Sequence, residues 1–130
     1  MVLAGPPGWK NRLWKQRLGE VRLYGAVLAG YVPDELMPTL YAGAEALVFP
    51  SLYEGFGMPV LEARCCGARV VTTDIPELRE AGDEYVIYVQ PTVEGIKTGI
   101  LQAMGVPKPP PAVRRSWNDS ARNRARAFRK

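Results

Sequence analysis

The stretch that decides the fold is Ala46-Leu47-Val48-Phe49-Pro50, then the loop Ser51 to Phe56, a segment from Gly57 to Cys66, and Arg69-Val70-Val71-Thr72-Thr73. Both apolar runs are short, continuous and bounded by turn residues, so they read as strands buried on two faces, as in a parallel sheet covered by helices. The ten residues from Gly57 to Cys66 suit the helix of a strand–helix–strand unit. The same alternation continues outward. Upstream, Ala26 to Val32 reads as a strand. Pro33-Asp34-Glu35 opens a helix with proline and acids in its first turn, and Leu36, Met37, Leu40 and Tyr41 form its apolar side. Further back, Met1 to Gly5 is a strand ended by the turn Gly5-Pro6-Pro7-Gly8. Trp9 to Gly25 is a helix with Leu13, Trp14, Leu18 and Val21 on one face. Downstream come a short helix, Pro76 to Ala81, a strand, Tyr85 to Val89, and a helix, Thr92 to Met104. Pro107 to Pro111 is extended linker. Ser116 caps a last helix with Trp117, Ala121, Ala125 and Phe128 on one side and arginines on the other. Strands alternating with helices at this spacing predict an α/β fold with an open, doubly wound parallel sheet.

Composition narrows the function. The chain has 130 residues, 47% apolar and 23% charged, the balance of one globular domain. No run approaches the roughly 20 apolar residues of a membrane span, and the N-terminus lacks the pattern of a signal peptide. There is no histidine, which excludes a histidine base, a catalytic triad and any histidine-ligated metal. The two cysteines, Cys65 and Cys66, are adjacent. They cannot close a zinc site alone and read as small buried thiols of a reducing, cytoplasmic protein. The net charge of +4 is uneven: residues 107–130 hold eight Lys/Arg and one acid, a net of +7, and residues 1–106 carry −3. The basic tail has few interleaved aromatics, so nucleic acid is not the expected partner.

Ligands of open α/β sheets bind where loops leave the carboxyl ends of strands. The loop after the third strand reads Pro50-Ser51-Leu52-Tyr53-Glu54-Gly55-Phe56-Gly57-Met58-Pro59-Val60-Leu61-Glu62-Ala63. Gly55 and Gly57 allow a sharp turn and close approach of a ligand to the backbone. The helix beginning near Met58-Pro59 offers unpaired N–H groups, an anion site. Glu54 and Glu62 supply carboxylates on either side. This set suits a phosphate flanked by hydroxylated groups.

These residues carry a resemblance. Glu54 and Glu62, with Gly-Phe-Gly-x-Pro-x-x-Glu-Ala between and after, are similar to the E-x7-E signature of the family-4 retaining glycosyltransferases (glycosyl transferases group 1). The flanks agree: Gly30-Tyr31-Val32-Pro33-Asp34-Glu35-Leu36, Leu40-Tyr41-Ala42-Gly43-Ala44-Glu45-Ala46, Phe49-Pro50-Ser51, Cys66-Gly67, Val70-Val71, Ile75-Pro76-Glu77 and Ser116 to Ala121. The resemblance implies the Rossmann-like, nucleotide-sugar-binding C-terminal domain of the two-domain GT-B architecture. Residues 1–105 would form that domain without its first strand, and residues 106–130 a proline linker and basic C-terminal helix.

By the family pattern, Glu54 is the catalytic-site carboxylate that meets donor-sugar hydroxyls. Backbone from Gly55, Phe56, Gly57 and Met58 to Leu61 faces the sugar and diphosphate. Glu62 accepts from the ribose, and the backbone of Tyr31 and Val32 lies beside the base. The substrate is a nucleotide-diphosphate sugar, with no further cofactor. No Asp-x-Asp motif is present, so no metal is implied. The implied partner is an N-terminal acceptor domain, with membrane association only peripheral and through the full enzyme.

Some features depart from the family pattern. The family's diphosphate-binding Arg and Lys would precede Val2. Arg64 and Cys65 stand where a methionine and a small residue are usual, Arg69 where proline is usual, and Gln90 where an acid precedes Pro91. The segment Gly105 to Ala112 is short and proline-rich. A second reading is therefore a non-catalytic remnant, or a separately encoded half, that at most binds nucleotide weakly. A nicotinamide-binding oxidoreductase is disfavoured because Gly55-Phe56-Gly57 has no third glycine at position 60. Gly5 to Lys10 has the wrong spacing for a P-loop, and Lys10 and Arg12 read as a solvated face.

Overall fold

The computed structural model describes residues 1–5, 12–82 and 84–112. The turn at Pro6 to Gly8, the start of the first helix at Trp9, the side chains of Lys10, Arg12, Leu13 and Trp14, and the capped helix from Ser116 lie outside what is described. The chain divides into two compact units, Met1–Met37 and a second beginning at Pro38.

The first unit holds β1 (Val2–Ala4), α1 (Arg12–Leu23) and β2 (Val27–Gly30). β1 and β2 pair in parallel, Val2 beside Val27 and Leu3 beside Leu28. Parallel neighbours need a crossover, and α1 supplies it.

The boundary between the units falls in the first turn of α2 (Met37–Gly43). This helix starts later than the sequence reading placed it. Pro33 to Leu36 form a turn instead, with the N–H of Leu36 donated to the Pro33 carbonyl at 2.9 Å and that of Met37 to Asp34 at 3.3 Å. Pro38 explains the shift: it has no N–H to return to Asp34, so a helix cannot run through it from Pro33, but it is tolerated in a first turn. Of the expected apolar side, Tyr41 is buried while Leu36 remains exposed.

The second unit continues with β3 (Leu47–Phe49), α3 (Met58–Cys65), β4 (Val70–Thr73), α4 (Pro76–Ala81), β5 (Ile87–Val89) and α5 (Val93–Gly105). Its strands are parallel in the order β3-β4-β5. β4 is central and every residue in it is buried, as its unbroken apolar run requires. β3 is an edge of this sheet, and Val48 is exposed. The core gathers Val60 and Ala63 of α3, Val70 and Val71 of β4, Leu78 and Ala81 of α4, and Ala103 of α5. Gly99 lets α5 sit close on the sheet: a Cβ there would lie 2.7 Å from both Val71 and Val89. Helices packed on parallel strands make this an α/β fold, as the alternation predicts, and one consistent with the Rossmann-like GT-B fragment that the resemblance implies.

The proline-rich segment after α5 is extended, and it is pinned rather than loose. Arg69 donates through Nε to the Val106 carbonyl at 2.7 Å, and through Nη1 to the Glu45 carbonyl and carboxylate, each at 3.1 Å. Lys108 Nζ donates to the Ala42 carbonyl at 2.7 Å. Arg64, 1% exposed, donates to the Ala68 carbonyl at 3.0 Å and the Pro110 carbonyl at 3.1 Å, with its guanidinium 5.4 Å from the Tyr85 ring centre. The Ala112 N–H returns to the Arg64 carbonyl at 2.8 Å. Arg64 and Arg69, two departures from the family pattern, thus hold a third, the short segment 106–112. Cys65 and Cys66 are free thiols, half-buried rather than buried. Burial, then Cys65 and Glu62, pushes the Cys66 thiol above its ordinary range.

Candidate functional site

The loop between β3 and α3 is built from the carboxyl end of the sheet. The Thr72 hydroxyl donates to the Phe49 carbonyl at 2.7 Å, and that of Thr73 to the Ser51 carbonyl. Both threonines are almost fully buried, so the first loop residues are fastened to the central strand. The Ser51 N–H bonds back to Phe49 at 3.0 Å. Its hydroxyl lies 2.8 Å from Glu54 Oε1 and 3.0 Å from the Tyr53 carbonyl. One hydroxyl proton serves two acceptors, and the charged carboxylate is the stronger.

Gly57 caps α3 in the left-handed region, φ 83° and ψ 42°. Glycine is required there twice over. An L side chain strains at that φ, and a Cβ would sit 2.5 Å from Leu78 Cδ2. Gly55 differs: a Cβ there would meet nothing within 4 Å. Its small size leaves open space beside the loop. No side chain caps α3. Of its first donors, Pro59 has no N–H, and the Val60 and Leu61 N–H groups turn back on the Gly57 carbonyl at 2.9 and 3.4 Å. The amides of Gly57 and Met58 have no partner among the described residues, and they concentrate the positive end of the helix. Phe56 is half-buried and Met58 exposed.

Glu62 lies in the second turn of α3. Its Oε2 accepts a hydrogen bond from the Tyr41 hydroxyl at 3.2 Å. Tyr41 is 6% exposed. Burial first, then the Glu62 charge and the bond to it, raises the Tyr41 hydroxyl well above the tyrosine range. Glu54 and Glu62 thus each carry one internal hydroxyl donor on one oxygen, and neither second oxygen has a partner among the described residues. Tyr31 and Val32 belong to the first unit, Tyr31 exposed and Val32 half-buried.

The sequence reading singled out the two acids, the glycines and the helix start. The sequence places Tyr41 on the apolar side of a helix, Thr72 and Thr73 at the end of a strand and Ser51 at the start of the loop, and gives none of the four a hydrogen-bonding role at the site. A tyrosine on a buried face is a signal in itself, because its hydroxyl needs a partner. Among the described residues no group of three or more Cys, Asp or Glu is placed to hold a metal ion, and no helix is long and apolar enough to cross a membrane.

Residues 1–105 match the family model of the glycosyl transferases group 1. The chain belongs to the group 1 glycosyltransferases. Over 106 residues, 80% of its length, this glycosyltransferase chain is 41% identical to the O-antigen chain mannosyltransferase B of Escherichia coli. Over 79 residues, 60% of its length, it is 35% identical to the serotype-specific mannosyltransferase WbdA of the same organism. A shorter match, 44% identity over 55 residues or 42% of the chain, is to the O-antigen chain mannosyltransferase RfbU of Salmonella typhimurium. The chain spans 28% of the first relative's length, 10% of the second's and 16% of the third's.

Proposed function

We propose that this glycosyltransferase chain is the donor-binding part of a retaining enzyme that transfers mannose from a nucleoside-diphosphate sugar to an acceptor hydroxyl. The observation that carries the reading is the β3–α3 loop. A helix start with two unpartnered amides, at Gly57 and Met58, is flanked by two acids, each with a carboxylate oxygen to spare. Mannose is favoured by the relatives, each named as a mannosyltransferase.

In this reading the Gly57 and Met58 amides and the α3 dipole take the diphosphate. Open space at Gly55 lets the sugar approach the backbone beside Phe56, and the first turn of α3 up to Leu61 lines the same face. Glu54 holds donor-sugar hydroxyls and does not attack. Glu62 accepts from the ribose hydroxyls. Tyr31 and Val32 are assigned to the base by the family resemblance alone. The bond from the anomeric carbon to the diphosphate breaks as the acceptor oxygen bonds to that carbon on the same face. The acceptor proton passes to the departing diphosphate. The chain's contribution is electrostatic: amides fixed before the reaction stabilise charge that grows on the diphosphate as the bond breaks. No metal or cofactor enters the scheme. A partner domain holds the acceptor, the enzyme works in the cytoplasm, and any membrane contact is peripheral and made by the full enzyme.

Calorimetric titration of the 130-residue chain with UDP and GDP tests the reading. Hydrogen bonds to a carboxylate contribute about 1.5–3 kcal/mol each, so Glu62→Ala should weaken nucleotide binding by about tenfold or more. Equal affinity in the two proteins would remove Glu62 from the ribose.

A further inference from the structure

We propose that Tyr41 is a positioning residue of the nucleotide site: its hydroxyl fixes the Glu62 carboxylate by occupying Oε2, so that Oε1 is presented to the ribose. The inference rests on the donor-site reading above.

The geometry makes the case in three parts. Glu62 is an exposed glutamate on a helix surface, and an unrestrained glutamate carries side-chain entropy that a ligand bond would have to overcome. Tyr41 removes part of that freedom before any ligand arrives. Its ring is buried and its hydroxyl is 3.2 Å from Oε2, with no other partner among the described residues. A tyrosine kept only for packing would be served equally by phenylalanine. Second, the bond specifies which oxygen remains. A carboxylate has two oxygens, and among the described residues Oε1 has no partner while Oε2 already accepts from Tyr41. Third, the other acid of the loop is treated the same way: Ser51 occupies Glu54 Oε1 at 2.8 Å and leaves Oε2. Two acids, drawn from different elements, each meet one internal hydroxyl.

Tyr41 also stays protonated across the working pH range. Burial and the neighbouring Glu62 charge both oppose ionisation of its hydroxyl, so it remains a donor and never repels the carboxylate.

The test is a titration, followed by NMR, of the 130-residue chain and of Tyr41→Phe, Glu62→Ala and the double variant, with UDP and with 2′,3′-dideoxy-UDP. Tyr41→Phe should weaken UDP binding by about three- to tenfold, the range of a single hydrogen bond. It should leave dideoxy-UDP binding unchanged, because that ligand has no ribose hydroxyl for Glu62 to accept from. In the Glu62→Ala background, Tyr41→Phe should have no further effect on UDP. An equal loss for both nucleotides would show a general structural role and overturn the proposal. Full UDP affinity in Tyr41→Phe, with Glu62→Ala impaired, would overturn it while leaving the donor site standing. If Glu62→Ala itself binds both nucleotides like the wild type, the donor-site reading fails and the proposal with it. Urea unfolding of each variant separates lost folding from lost binding.

Discussion

Arg64→Met replaces a buried cation by the residue the family pattern usually carries there, and its outcome measures what holds the segment 106–112. Two effects oppose each other. A guanidinium 1% exposed has lost its water, and exchanging a buried charge for an apolar side chain of similar volume is often neutral or even stabilising. Against this, Arg64 is well compensated: two carbonyls accept from it at 3.0 and 3.1 Å, and the Tyr85 ring lies 5.4 Å away. The two carbonyls then differ. Pro110 is exposed, so its oxygen regains water and the loss there is small. Ala68 is fully buried, and its oxygen loses a charged donor at a cost of about 1–3 kcal/mol. The second term wins, because the methionine recovers a desolvation that the native contacts already offset. The expected result is a loss of about 1–3 kcal/mol, read as a fall of about 1 M in the urea midpoint. Hydrogen exchange at the Ala112 amide, which bonds the Arg64 carbonyl at 2.8 Å, should also quicken, by about tenfold for each 1.4 kcal/mol lost locally. An unchanged or higher midpoint together with unchanged Ala112 exchange would refute the reasoning.

Gly57→Ala should destabilise the fold by about 2–4 kcal/mol in thermal unfolding, since it adds left-handed backbone strain to a clash with Leu78, whereas Gly55→Ala should leave stability and binding of the bare nucleotide unchanged and weaken binding of the nucleotide-sugar. Gly99→Ala should cost about 1–3 kcal/mol by forcing α5 off Val71 and Val89. Stability should fall as pH rises above about 10, the unfolded tyrosine value, because folded Tyr41 keeps its proton where the unfolded chain loses it. Tyr41→Phe should flatten that alkaline limb in chemical denaturation at graded pH. Arg79 holds the Asp74 carboxyl below its usual range, so a small loss of stability below about pH 4, as Asp74 takes up its proton, should disappear in Arg79→Met.

Most of the architecture was legible because it is written in periodicity. The unbroken apolar run of Val70-Val71 announces a strand covered on both faces, and Pro76 marks its helix start to the residue. The late start of α2 was missed because Pro33 and the acids after it form a good helix opening, and only the second proline at position 38 vetoes it. In the loop, the glycines and acids stand out by residue type. Their supports do not. Tyr41 and Glu62 are 21 residues apart, and Thr73 and Ser51 are 22 apart, so no local pattern links them. The role of Arg64 was hidden for the same reason: its partner Pro110 is 46 residues away, and an isolated arginine on a short helix reads as surface.

The most direct test of the account is an amide NMR map of the 130-residue chain titrated with a nucleoside-diphosphate mannose. The account predicts that the largest, saturable shifts fall on the Gly57 and Met58 amides and their neighbours from Gly55 to Leu61, and that a nucleoside lacking phosphates leaves those two amides unmoved. Saturable shifts confined to other parts of the chain, or Gly57 and Met58 shifts as large with the bare nucleoside, would contradict the assignment of this loop as the diphosphate site.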